Sequence, residues 1–266
     1  ALRINLDASR YGTFAEIGAG QEVARWFLSV GAASGTVAKT ISAYDKEVSD
    51  DLYGAGTRYV SKQRLIAMLD REWKLLLAEL DKDRGAKTRF FTLADTVSAR
   101  NFAGTNDCHG WMGVRFQHQP QAKSSDFILH VNMRDPTNAQ QAECLGILGV
   151  NLLYALMNER ATSPALVAML FDNIAEGRIE VDLVEASGPA FGSWDTATTH
   201  VDLVRNGCAE AVAFQTDGTP IPGNELLYKK PVVAAPATAI TADDIGHDAL
   251  MQCAGRAQKT LDKDAG

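Results

Sequence analysis

The stretch Glu16-Ile-Gly18-Ala-Gly20-Gln-Glu-Val23 stands ahead of an amphipathic run, where the unpaired N–H groups and dipole of a helix start could hold an anion. It is not a dinucleotide fingerprint: Val23 occupies the third glycine position, and no acidic residue closes a second strand about 20 residues later. A tight turn with close helix packing is the plainer reading of Gly18 and Gly20. Lys39-Thr40 resembles the end of a P-loop, but Ala38 replaces the required glycine and a helix rather than a strand is expected before it. Lys39, Thr40, Ser42 and Asp45 still make a dense polar run. In a helix, Lys39 and Asp45 would fall on different faces.

Further on, Asp95 follows the apolar run Phe90–Leu93, with Arg100 beyond it. Strand ends in α/β proteins present ligand groups at such places, and a capping Asp with a surface Arg is the plainer alternative. His109 precedes a run in which Arg115 and Gln117 share one face and Val114 and Phe116 the other, by simple alternation. In the next run His130, Asn132 and Arg134 share a face. Should these polar faces coincide, Arg115, His130 and Arg134 make a cationic patch suited to a carboxylate or phosphate; a solvated outer face is the alternative. The candidate ligand-binding set is therefore Glu16, Gly18, Gly20, Lys39, Asp95, His109, Arg115, His130 and Arg134, with no catalytic residue assigned. The histidines at 109, 118, 130, 200 and 247 show no metal-ligand spacing, so no metal is expected. Cys108 and His109 are strand neighbours that point to opposite faces, no GxSxG elbow occurs, and no cofactor motif is present.

The elements that would position these residues follow from periodicity. A strand is expected over Tyr11–Ile17 and a helix over Gln21–Val30, where Val23, Trp26, Phe27 and Val30 share a face. Val37, Ile41, Tyr44 and Val48 predict a second helix over Thr36–Leu52. Ser61 caps a third, whose stripe runs from Leu65 through Trp73 to Leu80. The period then changes to two. Thr88–Leu93 reads as a strand, and Trp111–Gln117 with Asp126–Met133 as a hairpin. Asp135-Pro136 suits a helix start and predicts a long helix to Glu159, in which Gly146 and Gly149 admit a close neighbour. A helix from Ser163-Pro164, a strand over Ile179–Val184, a helix over Asp195–Asn206, strands over Ala209–Gln215 and Leu226–Val233 with an Asp217-Gly218 turn between them, and a tail with a short helix near Asp243–Ala257 complete the series. Helices over Gln21–Asp83, packed on one side of a mixed, largely antiparallel sheet, make an α+β domain over residues 1–233, followed by the tail 234–266.

Composition bounds the function. The 266 residues carry 26 Lys and Arg against 33 Asp and Glu, a net charge of −7, which argues against nucleic acid or an anionic membrane surface as partner. The longest apolar run, Cys144–Met157, is too short for the ~20 residues of a membrane span. Cys108, Cys144, Cys208 and Cys253 are scattered without pairing pattern, as reduced thiols are.

Four blocks carry a resemblance: Tyr11-Gly-Thr-Phe-Ala-Glu-Ile-Gly-Ala-Gly-Gln-Glu-Val23, Ala38-Lys-Thr-Ile-Ser-Ala-Tyr-Asp45, Cys108-His-Gly-Trp-Met-Gly-Val-Arg-Phe-Gln117 and Glu225-Leu-Leu-Tyr-Lys-Lys-Pro231. From about Tyr11 to Val233 the chain resembles an uncharacterised family of soluble proteins from cyanobacteria and other bacteria, whose members carry the labels TonB-dependent receptor or nicotinate-nucleotide adenylyltransferase. The helical pattern leaves no room for a receptor barrel, and no phosphate-binding motif supports the second label. The resemblance implies a second α/β half after the last block, which this sequence does not reach, so any activity needing both halves would be lost. Two classes of function follow. A non-catalytic subunit or scaffold would form a complex with itself or another protein; a small-molecule enzyme or sensor would act on an anionic metabolite. Neither needs nucleic acid or a membrane span, and both fit a soluble protein of the bacterial cytoplasm or an organelle interior.

Overall fold

The computed structural model describes residues 1–56, 58–158, 163–215 and 217–226. The chain divides into two compact units, Ala1–Val212 and Ala213–Gly266. The expected strand over Leu226–Val233, the tail helix, Cys253 and His247 lie outside the described residues, apart from Leu226.

In the first unit six strands form one sheet: β1 (Arg10–Ile17), β2 (Val37–Ile41), β3 (Arg89–Ser98), β4 (His109–Phe116), β5 (Ser125–Met133) and β6 (Ile179–Ser187). Their order is β2-β1-β3-β4-β5-β6. β1 pairs parallel with both β2 and β3, whereas β3 to β6 are successively antiparallel. This is the mixed sheet of an α+β fold, and β4–β5 is the expected hairpin. The helices are α1 (Leu2–Asn5), α2 (Glu22–Ser29), α3 (Lys46–Tyr53), α4 (Lys62–Arg84), α5 (Asn138–Asn158), α6 (Ser163–Leu170) and α7 (Thr196–Arg205).

Helices cover both faces of the sheet, not one. Phe14, Phe91, Leu93, Met112 and Val114 project to one side and meet Val23 and Phe27 of α2 with Leu145 and Leu148 of α5. Ala15, Ala94, Trp111 and Ile128 project to the other and meet Leu65, Met68 and Leu69 of α4. The cause lies in the central strand: all of β3 except its two ends is buried, and a strand apolar on both sides needs a layer on each. Close contact of α2 with α5 depends on missing side chains. A Cβ on Gly146 would stand 2.8 Å from Cβ of Glu22, and one on Gly149 would stand 2.4 Å from Cγ2 of Val23. Ile147 and Val150 of α5 are half-buried, Val150 packing against the core.

Two other expectations are corrected. Residues 36–52 are not one helix but β2 followed by α3. Val37 and Ile41 have helical spacing, yet the segment Val-Ala-Lys-Thr-Ile is rich in β-branched residues and fills the open edge of β1, with Thr13 opposite Lys39 and Ala15 opposite Ile41. Asp45 then opens α3, its Oδ1 accepting the N–H of Glu47 at 2.9 Å and of Val48 at 3.1 Å. The long helix α5 does not start at Asp135-Pro136. Thr137 caps it, its Oγ1 accepting from Gln140 N at 3.3 Å, while the Asp135 carboxylate accepts from Arg178 Nε at 2.9 Å. An ion pair thus displaced the local cap. Ser61 caps α4 as expected, and Asp195, expected as the first residue of a helix, caps α7 instead, each accepting an N–H three residues on. Cys108, Cys144 and Cys208 are free thiols.

The second unit contains a two-stranded ladder, β7 (Ala213–Phe214) with β8 (Pro220–Ile221), followed by α8 (Gly223–Leu226). The expected strand over Ala209–Gln215 shrinks to β7. Gly218 takes φ +84° in the turn, and Asp217 Oδ1 accepts the N–H of Thr219 at 2.9 Å.

Leu69 is fully buried beneath the sheet, whereas Leu75 on the same helix is exposed. Leu69→Ala should cost about 2–5 kcal/mol and Leu75→Ala less than about 0.5 kcal/mol, measured by denaturant titration.

Candidate functional site

α2 connects β1 to β2 over one face, and α4 brings the chain from β2 to β3 over the other. The connections therefore diverge at the carboxyl ends of β1 and β3, where open sheets with this strand order form a crevice for ligands. On the α4 side the crevice contains a cavity of about 180 Å³. Ile17, Ala43, Tyr44, Tyr59 and Thr96 form much of its wall, and Lys46 and Arg64 bring positive charge to it. Arg64 is fixed in place: it donates to Ser49 O at 3.1 Å and Asp50 Oδ1 at 2.8 Å, and its guanidinium lies 5.0 Å from the Tyr59 ring centroid. Tyr59 donates its hydroxyl to Asp50 Oδ2 at 2.8 Å, and its carbonyl accepts from Thr96 Oγ1 at 2.7 Å. The Tyr59 hydroxyl, followed by Arg64, holds the Asp50 carboxyl below its usual range. Lys46 is exposed at the rim and makes no ion pair among the described residues.

The opposite face of the same strand ends carries two buried carboxyls. Glu16 and Asp95 are register partners in the parallel pair β1–β3, and each is about 1% exposed. Glu16 accepts from Val23 N and Ala24 N, both at 2.9 Å, so the helix start weighed as an anion site is occupied by the protein's own side chain, and the plainer reading of a tight turn holds there. Gly18, at φ +114°, allows the chain to turn there, since a Cβ would meet Val97 O at 1.9 Å. Gly20 also has a positive φ, +80°. Asp95 is not beyond a strand end but inside β3, and among the described residues its oxygens make no hydrogen bond of good geometry, the Ile17 N–H opposing its burial only in part. Burial, with the Glu16 charge adding to it, pushes Asp95 well above the carboxylate range. Burial likewise pushes Glu16 up to about 7, against the opposing pull of the α2 amides.

Polar residues of β4 to β6 meet on the α4 face. His130, fully buried, places Nδ1 2.6 Å from Asp182 Oδ1 and Nε2 3.2 Å from Nδ1 of His109. The Trp111 ring stands edge-on to His130, with centroids 4.9 Å apart. Burial, then His130 and Arg58, lower His109 to about 4, with Asp107 and Asp182 opposing.

The expected cationic patch is not assembled. Val114 and Phe116 do face the core, but the Arg115 face lies under α4 instead of in solvent. Arg115 makes a two-pronged pair with Asp126, both contacts at 2.8 Å, and a further bond to Asp70 at 2.5 Å. Arg134 is exposed and paired with Glu180. Lys39, on a strand, reaches across the sheet face to Glu72 of α4, which also accepts from the Tyr53 hydroxyl at 3.2 Å. Of the nine candidates, the fold brings together Glu16, Gly18 and Asp95, and separately His109 and His130. Asp182, Trp111, Tyr59, Arg64 and Lys46 were not singled out from the sequence. Asp182 had a signal, an acidic residue inside the apolar run Ile179–Val184; Arg64 had none, sitting in an ordinary polar helix turn.

No protein-family model matches the chain, and no curated protein matches it. Among solved structures it is similar to the competence/damage-inducible protein CihA from Agrobacterium tumefaciens, with 19% identity, 58% of this chain and 92% of that chain covered, and a TM-score of 0.40. A protein of the competence-damaged protein (CinA) superfamily from Enterobacter cloacae gives 15% identity, 57% and 85% coverage and a TM-score of 0.40. Another CinA superfamily protein, from Escherichia coli, gives 15%, 64% and 84%, and 0.36. Likeness at this level carries no conclusion about activity.

Two measurements check this site. Glu16 has an ordinary value of 4.5 and a folded value of about 7, so the folded state holds a proton that the unfolded chain releases. Its contribution to stability is fully present below about pH 4.5 and is lost as pH rises through about 7. Asp95→Asn, equal in shape without a charge to bury, should stabilise the protein by about 1 kcal/mol or more at pH 8 and less at pH 5, read by urea titration at both. Arg115→Ala leaves Asp126 without its two-pronged partner and should cost about 1–3 kcal/mol, in the same assay at pH 7.

Proposed function

We propose that this chain binds a small anionic molecule in the crevice at the carboxyl ends of β1 and β3. The observation that carries the reading is the cavity of about 180 Å³ at the strand-order switch point, with the Tyr44 and Tyr59 rings and an exposed Lys46 at its border. Its size suits a ligand of about one ring, since cavities near 150 Å³ accept benzene. Lys46 supplies charge without first breaking an ion pair among the described residues, and Arg64 is held in a fixed orientation by Ser49 and Asp50. Such preorganisation reduces what binding must spend on ordering side chains.

A subunit or scaffold role is the second reading, favoured by the fully exposed Phe102 in the β3–β4 connection and by the exposed Tyr44. The two readings separate in one experiment. Thermal unfolding in the presence of nucleotides, sugar phosphates and aromatic carboxylates should show a saturable rise in Tm for at least one class, growing with ligand concentration. Lys46→Glu should abolish that rise, while Lys123→Glu, exposed elsewhere and equal in charge change, should leave it intact. No saturable response to any class, or equal loss in both variants, would remove the ligand reading.

A further inference from the structure

Two features of the first unit have no part in the crevice. The β3–β4 connection, residues 99–108, presents the fully exposed Phe102. It is an ordered loop. Asn101 Oδ1 accepts from Thr105 N at 3.1 Å, and Asn106 Oδ1 accepts from Asn101 N at 2.8 Å. The Asn106 amide donates to Ser98 Oγ at 3.0 Å and to Ala99 O at 2.8 Å. Arg100 N ties the base of the loop to α5 by donating to Oε1 of the buried Gln141 at 3.0 Å. An aromatic ring held out in water on a fixed loop loses little conformational freedom on binding, as interface anchors do.

The second feature is a cavity of about 230 Å³ between β2 and the C-terminal half of α4, walled by Ala38, Leu75, Leu76 and Leu80. Its cation, Lys39, is already paired with Glu72, which leaves the exposed Glu79 as the charge at its border. We propose that Phe102 of one copy of this chain enters the leucine cavity of the next. The proposal gives the subunit reading above its two surfaces and rests on that reading, not on the ligand one. The volume suits one ring, since cavities of about 150 Å³ accept benzene. Charge selects this cavity over the crevice. Arg100, exposed two residues before Phe102, would meet Lys46 and Arg64 at the crevice but Glu79 here. Like charges brought together are costly, whereas opposite ones fix register.

A molecule cannot fill its own cavity. Thr13, which lines the cavity, is the register partner of Thr92, and the loop leaves β3 after Ser98, six residues further on. That is about 20 Å along the strand. Ring and cavity thus lie towards opposite ends of the sheet, so the contact is head-to-tail, and repeating it gives a ring of copies or an open chain rather than a two-fold dimer. An aromatic side chain buries about 150–250 Å², well short of the roughly 1,000 Å² of a stable interface. Self-association carried by Phe102 is therefore weak and grows with concentration.

Sedimentation velocity of the full chain at rising concentration should show species heavier than the monomer. Phe102→Asp and Leu75→Lys, both at exposed positions, should each weaken self-association about tenfold or more and leave the unfolding midpoint in place. Mixing the two variants is the decisive arm. Phe102→Asp keeps the cavity and Leu75→Lys keeps the ring, so together they should form a one-to-one dimer that cannot grow. Glu79→Arg should weaken association, and Arg100→Glu added to the same chain should restore it. A wild type that stays monomeric at its highest soluble concentration, or a mixture as monomeric as its components, would overturn the proposal. Heavier species that persist in both variants would keep the subunit reading and remove this contact alone. The thermal response to ligands is read at the crevice and stands or falls separately.

Discussion

Dehydration of both faces of a single sheet governs this structure. α2 and α5 close one face and α4 the other, so polar side chains on the central strands are held away from bulk water and find partners beneath a helix or on a neighbouring strand. Moving a charge into such a layer is costly unless it is paired and hydrogen-bonded. The α4 face shows the consequence in series: Lys39 with Glu72 and Tyr53, Arg115 with Asp126 and Asp70, and His130 with Asp182 and His109. Each network ties strand to helix or strand to strand, and each removes a side chain that would otherwise stand as a free ligand group.

Asp95 is the exception that the same constraint makes conspicuous. It is as buried as the core phenylalanines and makes no hydrogen bond of good geometry among the described residues, beside a Glu16 whose oxygens are taken by the α2 amides. A low-dielectric site resolves such a pair by holding a proton. Glu16 therefore anchors the start of α2, and the mouth of the crevice on the other face is left to Lys46, Arg64 and the tyrosines. One parallel strand pair thus separates a helix anchor from the cavity, because alternate residues along it point to opposite layers.

Polar alternation misleads where a sheet is covered on both sides. Arg115, His130 and Arg134 obey period two, and the matching apolar residues Val114 and Phe116 are buried as alternation requires. The inference that their faces were wet, or shared a ligand, assumed that an antiparallel hairpin has one open face. α4 supplies the acidic partner Asp70, the neighbouring strands supply Asp126 and Glu180, and the cations are spent on internal pairs.

The sequence alone determined whatever depends on local physics. Periodicity placed β1, α2, α4, the β4–β5 hairpin and β6; Ser61 was legible as a cap because capping satisfies N–H groups within the same turn; and Gly146 with Gly149 announced a close helix approach. Only the tertiary structure decided the rest. Val37–Ile41 became a strand because β1 had an edge to fill, a long-range need that outweighed helical spacing, and Asp135 left its capping position for Arg178, 43 residues away. The candidate site was half legible: Glu16, Asp95, His109 and His130 could be named from residue type, but not Asp182, whose aim depends on a bulge between β5 and β6, nor the cavity, which exists only where three strand ends meet α3 and α4. Residue type states what chemistry a side chain can do, whereas register and burial decide which partner it finds and hence what charge it carries.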